Sequence, residues 1–189
     1  MRRYVLTGAP GSGKTSVLAA LRARGYPVVA EAATDVIAVS QAQGTERPWT
    51  DPGFTASIAA LQRSRHLAPA PAGSAVQFFD RSPVCTLALA RFLGHPVPAI
   101  LAAEAARIVA ERFYERDVFL IRPLGFIEPT AARRISYAES LEFERVHEQE
   151  YARLGFRLVE VPPASVSERA ALIEVRVGGA APYPALGRN

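Results

Sequence analysis

Gly8-Ala9-Pro10-Gly11-Ser12-Gly13-Lys14-Thr15 is the stretch on which the reading of this chain turns. It matches G-x-x-x-x-G-K-[ST] at every position. Glycine adopts backbone conformations that a side chain forbids, so the segment can curl until its N–H groups face inward on an anion. Residues 3–7 ahead of it are β-branched and aromatic and predict a strand; residues 16–24 behind it predict a helix closed by Gly25. A helix opening directly after the loop turns its positive end on the same anion. Gly8 to Thr15, with Ser16, is thus the expected cradle for the phosphates of ATP or GTP, and Lys14 is the group expected to reach the β and γ phosphates. The Thr15 hydroxyl is the expected Mg²⁺ ligand. Lys14 is also the only lysine of the chain.

Working outward, residues 26–30, 75–79, 118–121 and 156–161 are short apolar runs and predict four more strands. Residues 34–43, 54–67, 84–93, 98–115, 131–154 and 165–175 predict helices, with a loop at 43–53 and a Pro-Ala hinge at 68–73. Strands alternating with helices predict an α/β fold: a five-stranded parallel sheet with helices on both faces and the ligand at the carboxyl ends of the strands.

With 189 residues and 49% apolar content the chain can bury the core of one such domain. The net charge of +4 is carried by arginines interleaved with glutamates, so neither a nucleic-acid face nor a basic membrane helix is expected. The single Cys85 excludes an internal disulfide and a cysteine-based zinc site, and His66, His95 and His147 stand in no metal-ligand spacing. No apolar run is long enough to span a bilayer and the N-terminus leads straight into a strand, which sets a cytoplasmic expectation.

The loop motif alone does not separate kinases, GTPases and motor ATPases. A GTPase needs Asn-Lys-x-Asp to read its base, which a chain with one lysine at position 14 cannot supply. A Ser-Gly-Gly transporter signature is also absent from the sequence. What remains resembles the small-molecule kinases, and most closely a family of compact bacterial AAA-type ATPases or kinases similar to the nicotinamide riboside kinase domain and, more distantly, to deoxynucleoside and thymidylate kinases. The resemblance runs through Tyr4 to Val17, VVAEAATDVI at 28–37, FFDRS at 78–82, and 118–161 from VFLIRP to LVEVP. It implies a P-loop NTPase fold with a helical lid near 123–136, one kinase-like domain over 1–178 and a tail at 179–189.

Several residues beyond the loop are candidates. Glu31 ends the second strand, where the resembled kinases place a carboxylate that serves as general base for the acceptor hydroxyl or orients Mg²⁺. Asp35 can share that face; for both, an acid favoured by a helix N-terminus is the alternative. Asp80 closes an apolar strand, the position of a carboxylate holding Mg²⁺ through water, with helix capping as its alternative. Arg81 follows it, placed to grip an anionic substrate group. The resemblance makes Arg133 and Arg134 lid arginines that stabilise the transferring phosphoryl group, with a solvated helix face as the alternative and Arg122 as a weaker candidate. Trp49, Phe54, Gln62 and Arg63 are candidates for the acceptor pocket, with core packing as the alternative for the first two and a solvated helix face as the favoured reading of the last two, and residues 161–165 for the border of the nucleotide base. The expected activity is ATP-dependent phosphoryl transfer to a small hydroxyl-bearing, nucleoside-like metabolite. The alternative is a nucleotide-switched ATPase that hydrolyses slowly. The expected partners are a nucleoside triphosphate and a small-molecule acceptor, with a homodimer as an oligomeric option.

Lys14→Ala is expected to leave the fold intact and to abolish stabilisation by ATP. At roughly a hundredfold excess over Kd that stabilisation is about 2 to 3 kcal/mol. A thermal-shift titration checks it; an unchanged shift in the folded variant would overturn the phosphate-loop assignment.

Overall fold

The computed structural model describes residues 1–125 and 135–178. The elements run β1 (Arg2–Thr7), α1 (Lys14–Ala23), β2 (Val28–Val29), α2 (Ala32–Ala42), a 3₁₀ turn (Pro48–Thr50), α3 (Phe54–Leu67), β3 (Val76–Asp80), α4 (Pro83–Phe92), α5 (Ala99–Ala110), β4 (Asp117–Ile121), α6 (Tyr137–Arg153), β5 (Arg157–Val161) and α7 (Val166–Arg176). The five strands form one sheet in the order β2-β3-β1-β4-β5, every pair parallel. This is the doubly wound α/β architecture expected from the alternation of elements.

Side chains of successive strand residues point to opposite faces, and the two faces are buried under different helices. Tyr4, Leu6, Phe78, Phe119 and Ile121 pack with Val17 and Leu21 of α1 and Ile173 of α7. Val5, Phe79 and Val118 turn the other way, onto Val84 and Cys85 of α4, Ile108 of α5 and Tyr151 of α6. Both layers exclude water: Phe78, Phe119, Leu6 and Ile121 on the first face, and Val5, Val118 and Tyr151 on the second, have no exposed surface to speak of. Truncating one such aromatic to alanine costs about 3 to 5 kcal/mol.

Element boundaries depart from expectation where tertiary contacts or backbone geometry act. The first helix begins at Lys14 rather than 16, because the loop delivers its glycine directly as the cap. The second strand shrinks to two residues at the sheet edge. The helix expected over 98–115 stops at Ala110, since Arg112 turns left-handed at φ 48° and swings Tyr114 into the core. The described part of the helix expected from 131 begins at Tyr137, under a Ser136–Glu139 capping box. The lid expected near 123–136 and the tail expected at 179–189 fall largely outside the described residues. Among the described residues no helix is long and apolar enough to cross a membrane.

One buried polar knot ties α3 to α5. Glu104, fully buried, accepts from Arg107 Nη2 at 2.6 Å and Nε at 2.9 Å and from Arg63 Nη1 at 3.0 Å, and His66 Nδ1 lies 2.8 Å from it. The Tyr114 hydroxyl lies 2.6 Å from His66 Nε2, so the ring donates through Nδ1 and accepts at Nε2. Glu104→Ala leaves this group of donors without its acceptor and is expected to cost about 3 kcal/mol of stability, with the ATP-induced shift retained. Denaturant unfolding with and without nucleotide measures both.

Candidate active site

The parallel register sets the site. Leu6 of β1 pairs with Asp80 of β3, and Val29 of β2 with Phe79. Equal steps past those pairs bring the phosphate loop, Asp80–Arg81 and Glu31 to the same edge of the sheet. Gly8 fits there only without a side chain: its φ is 135°, and a Cβ would lie 2.4 Å from the Ile121 carbonyl oxygen of β4. Gly13 caps α1 in the left-handed conformation at φ 87°, with no side chain over the helix N-terminus.

Lys14 is buried and donates to the carbonyls of Gly8 at 3.1 Å and Ala9 at 2.9 Å. Burial, with Arg81 nearby, lowers its pKa to about 8. The loop is also gripped from outside. Ala9 N–H donates to Glu144 Oε2 of α6 at 3.0 Å, and buried Arg169 of α7 donates to the Ser12 carbonyl at 2.7 Å. Arg169 also donates to the carbonyls of Pro162, at 2.9 Å, and Arg122. The 161–165 segment, expected beside the base, is thereby tied to the phosphate loop.

Glu31, Asp80, Arg81 and Lys14 form one electrostatic cluster. Arg81 stands at φ 68°, a left-handed conformation that costs a non-glycine residue roughly 1 to 2 kcal/mol. Its backbone N–H donates to Leu6 O at 3.1 Å, and the turn aims its guanidinium at Glu31, with Nε 2.6 Å from Oε1. Thr34 Oγ1 donates to the other Glu31 oxygen at 2.9 Å. Burial raises the Glu31 pKa, but Arg81 and Lys14 outweigh it and hold the carboxyl below its ordinary range. Asp80 goes the other way: burial and the Glu31 charge push it up to about 6 against the pull of Lys14 and Arg81. Its Oδ1 is buried with no hydrogen-bond partner among the described residues. Two carboxylates with pKa values driven apart is a pattern typical of catalytic sites.

Lys14, Glu31, Asp35, Asp80 and Arg81 all line one cavity of about 740 Å³, together with Pro10, Gly11, Gly13, Thr15 and Ser16. Trp49, Phe54 and Gln62 line it too. Arg63 instead pairs with Glu104, away on α5, with about half of its side chain exposed, as the solvated-face reading has it and not the acceptor-pocket one. The Asp35 carboxylate pairs with Arg65, which also holds the Ala30 carbonyl at 2.8 Å. Arg122 is engaged by Glu144 at 2.8 Å, Glu148 at 2.7 Å and Glu160 at 2.5 Å. Arg133 and Arg134 lie outside the described residues. The sequence reading missed Thr86, Phe92 and Phe143 in the cavity wall, and Glu144, His147 and Arg169 behind it. Phe92 and Phe143 stack at 4.8 Å, a contact between α4 and α6 that no local pattern announces.

A residual donor set for Mg²⁺ fits this geometry. Asp80 offers an unpartnered buried oxygen and Thr15 an exposed hydroxyl on the same cavity. Among the described residues no cluster of three or more His, Cys, Asp or Glu could hold a metal alone, as suits an ion that takes most of its ligands from water and phosphate.

The raised Asp80 pKa has a consequence for stability. The folded protein holds this proton more tightly than the unfolded chain, so stability from Asp80 is present below about pH 4 and is lost as pH rises to about 6. Asp80→Asn is therefore expected to stabilise the ligand-free protein by on the order of 1 to 2 kcal/mol at pH 8, with the gain shrinking towards pH 4. Thermal melts across that range test the sign.

Comparison with known proteins agrees with this architecture. The chain matches the AAA domain family over residues 3–169. No match was found among curated proteins. Its fold is similar to that of NadR protein, solved in complex with NAD and AMP-PNP, at TM-score 0.66 and 14% identity over 94% of this chain. The chain spans about half of that structure, 49% of its length. It is also similar to deoxyadenosine kinase from M. mycoides: with the products dCMP and dCDP, TM-score 0.53, 12% identity, 94% of this chain and 98% of that one; with dATP, TM-score 0.52, 14% identity, 93% and 98%. At such identities the likeness is one of fold, whereas the family match takes in the phosphate loop, all five strands and the start of α7, and by it the chain belongs to the AAA domain family.

Proposed function

We propose that the protein is an ATP-dependent phosphotransferase acting on a hydroxyl of a small, nucleoside-like molecule. The observation that carries this reading is the shared cavity. One continuous space of about 740 Å³ is lined by the phosphate loop, by Glu31 and Asp80, and by an apolar wall of Trp49, Phe54, Ile58, Phe92 and Phe143. That volume is in the range of small-molecule sites. Trp49, Phe54 and Ile58 follow β2 and Phe92 follows β3, on one side of β1; Phe143 closes the wall from α6, after β4, and the segment suited to the nucleotide base follows β5. A nucleotide switch has no use for such a second compartment. Nucleotides are the ligands of similarly folded proteins, AMP-PNP in NadR protein and dATP, dCMP and dCDP in deoxyadenosine kinase, which supports a nucleoside triphosphate as donor.

In this reading the α1 N-terminus and Lys14 neutralise the β and γ phosphates. Thr15 and, through water, Asp80 would hold Mg²⁺, which would supply charge neutralisation for the phosphates. Glu31, kept ionised by Arg81, accepts the proton of the acceptor hydroxyl as its oxygen bonds to the γ phosphorus and the bond to the ADP oxygen breaks. Arg81 spends Nε on Glu31, so it acts first by aiming that carboxylate and only through its remaining N–H groups on an acceptor. Arg133 and Arg134 are proposed to meet the transferring phosphoryl group.

Glu31→Gln is expected to leave the Kd for ATP nearly unchanged and to cut turnover by about 10² to 10⁴. Arg81→Ala is expected to raise the KM for the acceptor as well as to lower kcat, and EDTA to stop transfer in the wild type. Screening nucleosides and related metabolites by mass spectrometry for a gained phosphate supplies the acceptor. No phosphorylated product, with equal basal hydrolysis in wild type and Glu31→Gln, would favour the switch instead.

A further inference from the structure

Helix α6 carries a polar stripe that faces the site from behind. Glu144, His147 and Tyr151 recur at helical spacing, and all three are buried. Each bonds a different part of the site: Glu144 the Ala9 N–H, His147 the Arg81 guanidinium, Tyr151 the hydroxyl of Ser82 at 2.7 Å. His147 is the member whose chemistry is determined completely by its partners. Its Nδ1 lies 2.8 Å from the Phe143 carbonyl oxygen, which can only accept. Its Nε2 lies 3.0 Å from Arg81 Nη1, which can only donate. The ring is therefore the neutral Nδ1–H tautomer, with the Nε2 lone pair aimed at Arg81. A doubly protonated ring has no acceptor left for that guanidinium and sets a cation against it in a site already holding Lys14.

We infer that His147 is a positioning residue for phosphoryl transfer: as a neutral acceptor it fixes the Arg81 guanidinium, and through it the orientation of the Glu31 carboxylate. Arg81 needs such a partner. Its left-handed backbone is strained, and the Glu31 carboxylate at Nε with the weakly bonding Cys85 thiol beside it leaves the plane of the fork to be set. A second bond at Nη1, on a rigid helix, fixes the plane of the fork and hence the oxygen of Glu31 that it covers. The neutral ring does this without adding a carboxylate. A Glu or Asp at 147 would compete with Glu31 for Arg81 and load a third acid beside Asp80. Phe143 packs against the imidazole as well, with ring centroids 4.2 Å apart and the planes tilted by 50°.

The inference rests on the proposed phosphotransferase only for its kinetic arm. The first measurement is independent of any acceptor: ¹⁵N-detected NMR of the wild-type imidazole at pH 7, where a protonated Nδ1 and a bare Nε2 are expected. A ring protonated at Nε2 would overturn the inference. The second is kinetic, with the acceptor found by screening. His147→Leu is expected to lower kcat by about 10- to 100-fold with the Kd for ATP unchanged. His147→Gln, whose side-chain oxygen reaches about as far as Nε2, is expected to recover most of that loss. His147→Asn, polar but too short to reach Arg81, is expected to behave like the leucine variant and serves if leucine does not fold. Wild-type kcat in the folded Leu or Asn variant would also overturn the inference. Failure to find any acceptor would count against the phosphotransferase and leave the NMR result to decide the role of His147.

Discussion

Gly8 can lie against the Ile121 carbonyl only because it has no side chain, and the remainder of the site is arranged around that approach. It lets β1 end flush against β4, so that the loop leaves the sheet at once and curls back over the strand ends. The curl is then fixed from outside. Glu144 takes the Ala9 N–H and Arg169 takes the Ser12 carbonyl, each a hydrogen bond with one charged partner, of the kind that contributes about 1.5 to 3 kcal/mol. Arg169 is a buried cation whose described partners are three backbone carbonyls, so it ties together the phosphate loop, the residue after β4 and the β5–α7 segment.

The edge of the sheet holds Lys14, Arg81, Glu31 and Asp80, a balanced set of charges largely removed from water. Balance does not mean that each charge is comfortable. Glu31 is stabilised by two cations, while Asp80 carries an oxygen with no hydrogen bond and a pKa raised to about 6. Arg81 sits in a strained backbone turn beside them. A strained backbone and an unmet polar atom meet at these strand ends, which agrees with the proposed use of Asp80 and Arg81 in catalysis. The helices facing this edge supply what the strands cannot: α6 in particular reaches the loop, Arg81 and Ser82 from one side.

Much of the fold was legible because it is written in short-range patterns. The motif at 8–15, five apolar runs of strand length and the helical periods between them require only local sequence to recognise. Boundaries were less legible. Pro83 opens α4 under the Ser82 cap, and Arg112 ends the turn after α5 in a left-handed conformation that no composition rule anticipates. Of the site, the residues next to strand ends were found, since parallel register carries strand ends to one place. Gln62 was misjudged as a solvated residue because a helix residue's face depends on its neighbours: α4 presents Thr86 to it, whose hydroxyl donates to the Gln62 oxygen at 3.0 Å, while Arg63 turns out to Glu104 of α5.

By itself the sequence determined that a phosphate loop joins a strand to a helix, that the sheet is parallel, and that Glu31, Asp80 and Arg81 follow strand ends. These follow from residue type and spacing along the chain. Only the tertiary structure decided that Arg81 covers Glu31, that the two carboxylates part in pKa, and that Glu144, His147 and Arg169 brace the site. The physical reason is range. Hydrogen bonds between residues 66 to 157 positions apart, and the burial that gives them their strength, leave no periodicity behind and come into being only when the helices close over the sheet.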